Sequence, residues 1–143
     1  MDIRHYVASD LDQVVALWGR CGLLVPWNDP VADIRLALES GHGTVLVGVG
    51  DGARIVAAVM VGHDGHRGWL YYLAVDSDRR GKGLGRRMVQ AAEAWAAERG
   101  IRKAELMIRG GNTAVRAFYE RLGYRVEDRV VMTRWLDGTE PNG

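Results

Sequence analysis

From position 80 to position 87 the chain reads Arg80-Gly81-Lys82-Gly83-Leu84-Gly85-Arg86-Arg87, three alternate glycines among cationic and apolar residues. Glycine tolerates backbone angles that a side chain forbids, so consecutive N–H groups in such a stretch can turn toward one point. Leu84 also opens a run (Leu84, Met88, Ala91, Ala92, Trp95) that recurs at helical spacing until Gly100. A helix begun there adds unpaired N–H groups and its positive dipole end to the same place. With Arg79, Arg80, Lys82, Arg86 and Arg87 around it, the segment has the chemistry of a socket for a phosphorylated ligand. Upstream, Trp69 to Val75 is apolar and aromatic over the length of one strand, so the loop joins a strand to a helix.

Spacing narrows the ligand. A dinucleotide fingerprint, G-x-G-x-x-G, needs glycine where Arg86 stands. A Walker-type loop needs glycine at Asp76 and a hydroxyl residue at Gly83. Both nucleotide patterns fail. A second group of residues lies about thirty positions on. After the strand-like Lys103 to Ile108 comes Asn112-Thr113-Ala114-Val115-Arg116-Ala117-Phe118-Tyr119, then Glu120-Arg121-Leu122-Gly123-Tyr124. Asn112 can cap a helix that Gly123 ends.

Taken together the two segments resemble the GNAT acetyltransferase superfamily. Its acyl-CoA pyrophosphate loop has the pattern [QR]-x-x-G-x-[GA], which Arg80, Gly83 and Gly85 fill. The family also carries an asparagine, a short helix with tyrosine seven residues later, and a Leu-Gly-[Phe/Tyr] ending, matched by Asn112, Tyr119 and Leu122-Gly123-Tyr124. Pro26-Trp27-Asn28-Asp29-Pro30 and Asp64-Gly65-His66-Arg67-Gly68 are similar to its bacterial YpeA-type branch.

The resemblance implies transfer of the acetyl group of acetyl-CoA to a primary amine by direct attack in a ternary complex. Leu73, Ala74 and Val75 would bind pantetheine through backbone groups, as an added strand does. Arg80, Gly81, Lys82, Gly83, Leu84, Gly85 and Arg86 would hold the diphosphate, and Asn112 and Phe118 would complete the cofactor side. Tyr119 would be the general acid to the departing thiolate: a phenol of reference pKa ~10 suits a thiol of ~8.5 or a little above. Trp27, Asn28, Asp29 and Tyr72 are candidates for the acceptor side. Some members of the family place a carboxylate inside the second strand, where this chain has Met107. That leaves the base open among Asp29, Asp64, His63, His66, Glu105 and a water held by Tyr71 or Tyr72. The alternative is a noncatalytic acyl-CoA-sensing or partner-binding module on the same scaffold.

His63-Asp64-Gly65-His66 offers two imidazoles and a carboxylate on one loop, but no further ligand cluster accompanies it. It reads as a solvated turn between strands, and no metal is expected. Net charge is +1 over 143 residues, which gives no global field for nucleic acid or membranes. The only cysteine, Cys21, excludes an intramolecular disulfide and suits a reducing, cytoplasmic setting. No apolar run approaches the ~20 residues of a membrane span.

The elements that must position these residues follow from pattern. Ile3 to Val7 predicts a strand, Ser9 caps a helix through Leu11, Val14, Val15 and Trp18, and Asp29-Pro30 starts a second helix ending at Ser40. Thr44–Val49 and 54–61 predict a hairpin around Gly50-Asp51-Gly52, and 124–128 and 130–135 two closing strands, whose exposed edges would allow a homodimer. The expectation is an α/β (α+β) chain: one domain over 1–136 with a polar tail over 137–143. The GNAT resemblance gives it a mixed, mostly antiparallel twisted sheet of six to seven strands with about four helices on both faces.

Overall fold

The computed structural model describes residues 1–140, which divide into two compact units, Met1–Leu106 and 107–140. The last three positions of the expected tail lie outside the described residues. In the first unit a five-stranded sheet runs in the order β1 (Asp2–His5), β2 (Gly43–Val49), β3 (Ile55–His63), β4 (Gly68–Val75), β5 (Ala104–Glu105). The first three pairings are antiparallel and β4–β5 is parallel. A parallel neighbour cannot be reached by a tight turn. Here the crossover carries helix α3 (Leu84–Glu98), so the loop at 80–83 occupies the exit of β4.

Helices α1 (Leu11–Arg20) and α2 (Pro30–Glu39) cover one face of the sheet. Val14, Leu17, Trp18 and Ile34 pack with Val45, Val47, Ile55, Ala58, Met60 and Ala74 in one buried cluster. Alternation sends Ala57, Val59 and Val61 to the opposite face. There α3 buries Met88, Val89, Ala92, Trp95 and Ala96, and a Cβ added to Gly68 would lie 3.3 Å from Ala96 Cβ. Asp29 caps α2 as its sequence implies, Oδ1 accepting from the N–H groups of Val31 (2.9 Å) and Ala32 (3.3 Å). Ser9 does not cap α1. It lies in a 3₁₀ turn over Ala8–Asp10, and Asp10 binds the Val7 N–H (2.8 Å) and both guanidinium nitrogens of Arg4. The Arg4 hydrogen bond, against the opposing effect of burial, holds the Asp10 carboxyl below the usual carboxylate range.

The second unit contains α4 (Thr113–Arg121). Sequences 124–128 and 130–135 form no strand among the described residues, so the sheet has five strands rather than six or seven. Val130 and Met132 are 86% and 90% exposed. β-branched composition favours a pleated, half-buried surface and yields a strand only where a ladder forms. The expected strand at 103–108 is likewise cut to two residues, because its pairing ends at Trp69–Glu105. Among the described residues no helix is long and apolar enough to cross a membrane.

Candidate active site

β4 ends at an anchored carboxylate. Asp76 is buried, its N–H donates to Val56 O (2.8 Å), and its side chain accepts from Arg20 (3.1 Å), from Arg54 and from the Ser77 N–H (3.1 Å). Burial pushes its pKa up, but the Arg20 bond and the charges of Arg20 and Arg54 outweigh that, and the group sits below the usual carboxylate range. Beyond this anchor the chain turns through Gly81 (φ 78°) and Gly83 (φ 74°), both in the left-handed region that glycine enters without cost. Gly83 is the N-cap of α3, with no side chain over the first turn and no acidic residue in it. Among the described residues the backbone N–H groups from Arg80 to Arg86 find no acceptor, and the first helical bond from this end is Arg87 N–H to Gly83 O at 3.2 Å. A left-handed residue followed by a helical one aims successive N–H groups into a shared concavity, with the dipole of α3 behind it.

The side chains divide in role. Arg80 folds back, Nε donating to Val75 O (3.3 Å) and Nη2 reaching Cys21 Sγ (3.8 Å). Arg87 donates to Met1 O (2.8 Å). Lys82 and Arg86 are exposed and pair with no carboxylate among the described residues, which leaves them available to an anion.

Alongside the loop the sheet offers an open edge. The β4–β5 ladder stops at Trp69–Glu105, so the rest of β4 has a strand on the β3 side alone. Asp76 N–H faces β3, and by alternation so do the backbone groups of Ala74, while those of Leu73 and Val75 face the unpaired edge, where the Val75 carbonyl already accepts from Arg80 Nε (3.3 Å) and Cys21 Sγ (3.5 Å). Just before them β4 bulges. Ala58 pairs with Ala74 and Met60 with Tyr71, leaving Val59 opposite two residues, Tyr72 and Leu73. Tyr72 has φ 56°, a strained value for a residue with a side chain. Its ring stacks on Trp18 (centroids 4.1 Å apart, planes 15° apart), and its hydroxyl donates to Asp33 Oδ2 on α2 at 2.7 Å. Burial first, then that bond and the charges of Asp33 and Asp29, push the phenol well above its ordinary pKa.

The other expected residues take varied places. Trp27 is half-buried; Asn28 and Asp29 are exposed, Asn28 N–H closing a turn onto Val25 O (3.2 Å) while Asp29 caps α2. Asp64 accepts from the N–H groups of Arg67 (2.7 Å) and His66 (2.9 Å) and from Trp69 Nε1 (3.3 Å). Those backbone bonds lower its pKa, which makes it a poorer base. His63 Nδ1 accepts from Gly65 N–H (3.1 Å), and Glu105 lies 3.7 Å from Arg67 and 3.8 Å from Lys103. These turn-closing bonds and ion pairs occupy three of the candidate bases. Among the described residues no group of three or more His, Cys, Asp or Glu side chains is arranged to hold a metal ion.

In the second unit Asn112 caps α4, Oδ1 accepting from Val115 N–H at 3.3 Å. Tyr119 is 6% exposed, with Phe118 and Tyr124 edge-on at 5.0 and 5.5 Å. Its hydroxyl has no hydrogen-bond partner among the described residues, and burial alone pushes its pKa up to about 12. Sequence reasoning missed Asp33, Asp76, Arg20 and Arg54, each brought in by contacts across 22 to 56 positions. The one local signal was a carboxylate directly after an apolar strand at Asp76.

Residues 11–124 match the model of the Acetyltransferase (GNAT) family. The chain is 42% identical over 132 residues to an acetyltransferase of Sodalis glossinidius, covering 92% of each protein. Its fold is similar to a putative acetyltransferase from Agrobacterium tumefaciens (TM-score 0.79, 21% identity, 94% of this chain and 100% of that one). It is also similar to AAC(6')-Iy, solved with the bisubstrate analogue CoA-S-monomethyl-acetylneamine (TM-score 0.76, 20% identity, 94% and 97% covered).

Proposed function

The chain belongs to the GNAT family of acetyltransferases, and from that premise we propose that it transfers the acetyl group of acetyl-CoA to a primary amine inside the cell. The observation that carries this reading is the set of unclaimed N–H groups from Arg80 to Arg86, set beside the unpaired edge of β4. A diphosphate takes up those donors, with Lys82 and Arg86 supplying charge. The pantetheine amides pair with the edge groups of Leu73 and with the N–H of Val75 as an added strand would, with Ala74 between them held on β3. The CoA moiety on the analogue bound to AAC(6')-Iy supports the choice of ligand.

The amine, having lost a proton to solvent, attacks the thioester carbon. A backbone N–H at the bulge stabilises the oxygen as it gains charge, the C–S bond breaks, the sulfur leaves as a thiolate, and the attacking nitrogen gives its second proton to water to leave the amide. Tyr119, at the position of the family's tyrosine, serves that thiolate as general acid. A phenol held near about 12 keeps its proton throughout the working pH range. Full transfer to a thiolate of ~8.5 would be uphill by roughly 5 kcal/mol, so the phenol stabilises the thiolate by donating a hydrogen bond, and a proton it hands over is restored from water as CoA leaves. Asn112 and Phe118 belong to the cofactor side, and Trp27, Asn28, Asp29 and Tyr72 to the acceptor side, as the family pattern implies. The test is release of free CoA thiol from acetyl-CoA across amines and peptides. Amine-dependent release supports the reading. Saturable acetyl-CoA binding with no release on any amine would favour a sensing module.

A further inference from the structure

A hydroxyl has one proton to donate and two lone pairs with which to accept. Tyr72 spends its proton on Asp33, at 2.7 Å, so only acceptor capacity remains at its oxygen. Nor is the ring free to turn. It lies on Trp18 at 4.1 Å, and its backbone is fixed at φ 56° within the bulge. A non-glycine residue in that region is strained, and it persists where the surroundings over-determine it. The stacking and the Asp33 bond are two such constraints. They come from two different helices, α1 and α2, and converge on the residue that precedes Leu73 at the open edge. Among the described residues neither Asp33 nor Asp29 has a cationic partner, so the local charge is negative.

We propose that Asp33 is a positioning residue for the acceptor: by holding the Tyr72 proton, it makes the phenolic oxygen a fixed acceptor for an N–H of a primary ammonium, selecting cationic amines over neutral and anionic ligands. This deepens the acetyl-transfer reading and rests on it for the chemistry that follows binding. An ammonium gives one N–H to Tyr72. After one of its other protons leaves to water, the neutral amine keeps that N–H in place and its lone pair is left with a restricted direction. No covalent step falls to Asp33, whose part is to hold the Tyr72 proton. Burial, and then the hydrogen bond to Asp33, keep the phenol protonated, so the arrangement persists across the neutral range.

The test uses the full chain carrying ¹³C at tyrosine Cζ, with the Tyr72 signal assigned by its loss in Tyr72→Phe. Titration with n-butylamine at neutral pH should give a saturable shift of that signal, with little response to n-butanol or butanoate. Asp33→Ala should weaken the amine about tenfold or more, the scale of one lost hydrogen bond at a charged group. Asp33→Asn, whose amide oxygen can accept the same proton, should recover part of the loss and serves as the folding control. In thiol-release kinetics the loss should appear in the acceptor KM, leaving kcat and the acetyl-CoA KM little changed. The double variant Asp33→Ala/Tyr72→Phe should be no worse than Tyr72→Phe. An unresponsive Tyr72 signal in the wild type, wild-type amine binding by Asp33→Ala, or additive losses in the double variant would each overturn the proposal. Calorimetry of acetyl-CoA on the same samples reports separately on the acetyl-transfer reading. Amine binding at Tyr72 without cofactor binding would sink that reading and still support this one.

Discussion

Replacing Gly83 by alanine should separate the strain of the loop from its chemistry. A Cβ on Gly83 meets nothing within 4 Å, so no clash enters. What enters is the left-handed φ of 74°, which costs an L-residue about 1–2 kcal/mol. Gly100, at the other end of α3, has φ 82° and equally open space. Its alanine variant therefore carries the same local penalty roughly 25 Å away along the helix. Both variants should lose about 1–2 kcal/mol in urea unfolding if their backbones hold. If the loop of the Gly83→Ala variant relaxes instead, stability recovers and the cofactor must restore the conformation on binding. That restoration raises the acetyl-CoA Kd about 5- to 30-fold by the same free energy. Unfolding curves and calorimetry on both variants read the two quantities. Stability loss and affinity loss should sum to at least the strain in Gly83→Ala, while Gly100→Ala loses stability alone. Equal acetyl-CoA affinity and full stability in Gly83→Ala, or an affinity loss shared by Gly100→Ala, would refute the reasoning.

Tyr119→Phe should lower kcat tenfold or more and leave the acetyl-CoA Kd within about twofold. Because burial holds the phenol near about 12, its ionisation should contribute no basic limb to kcat below roughly pH 11; unchanged turnover would remove the general-acid role. Asp76→Ala should destabilise the chain by about 1–3 kcal/mol in urea, the cost of stripping a buried partner from Arg20, Arg54 and the Ser77 N–H. The two arginines are 48% exposed and resolvate, which favours the lower half of that range. Asp76 and Asp10 both titrate lower when folded than unfolded, so below ~3.9 the unfolded chain binds more protons and stability falls with pH. The Asp76→Ala curve should be flatter through that acid window, and an identical slope would mean the carboxylate is not held as described.

Local signals carried well from sequence to structure, and non-local ones did not. The strand–glycine loop–helix order, the Asp29 and Asn112 caps and the hairpin expected over 44–61 each depend on residues a few positions apart, and each formed, the hairpin strands running Gly43–Val49 and Ile55–His63. Lys82 and the three glycines were legible as a candidate anion site because backbone angle and charge are properties of the residues themselves. The fold of Arg80 back onto Val75 O was not, since it depends on where β4 ends. Tyr72 was read as an acceptor-side residue, but its bulge arises from register with β3 and its hydroxyl partner lies 39 positions away. Ser9 looked like a cap until Asp10, tied to Arg4, displaced the helix start to Leu11. The closing strands at 124–135 had the right composition, yet composition does not supply a ladder.

Amide proton shifts measured while acetyl-CoA is titrated into ¹⁵N-labelled protein address the loop most directly. The amides of Gly81, Gly83, Leu84 and Gly85 should move downfield together and saturate with one equivalent, because each acquires an anionic acceptor it lacks in the free chain. Saturation in which those four stay still while signals elsewhere move, or no saturation at millimolar cofactor, would contradict a diphosphate held by the backbone at the start of α3.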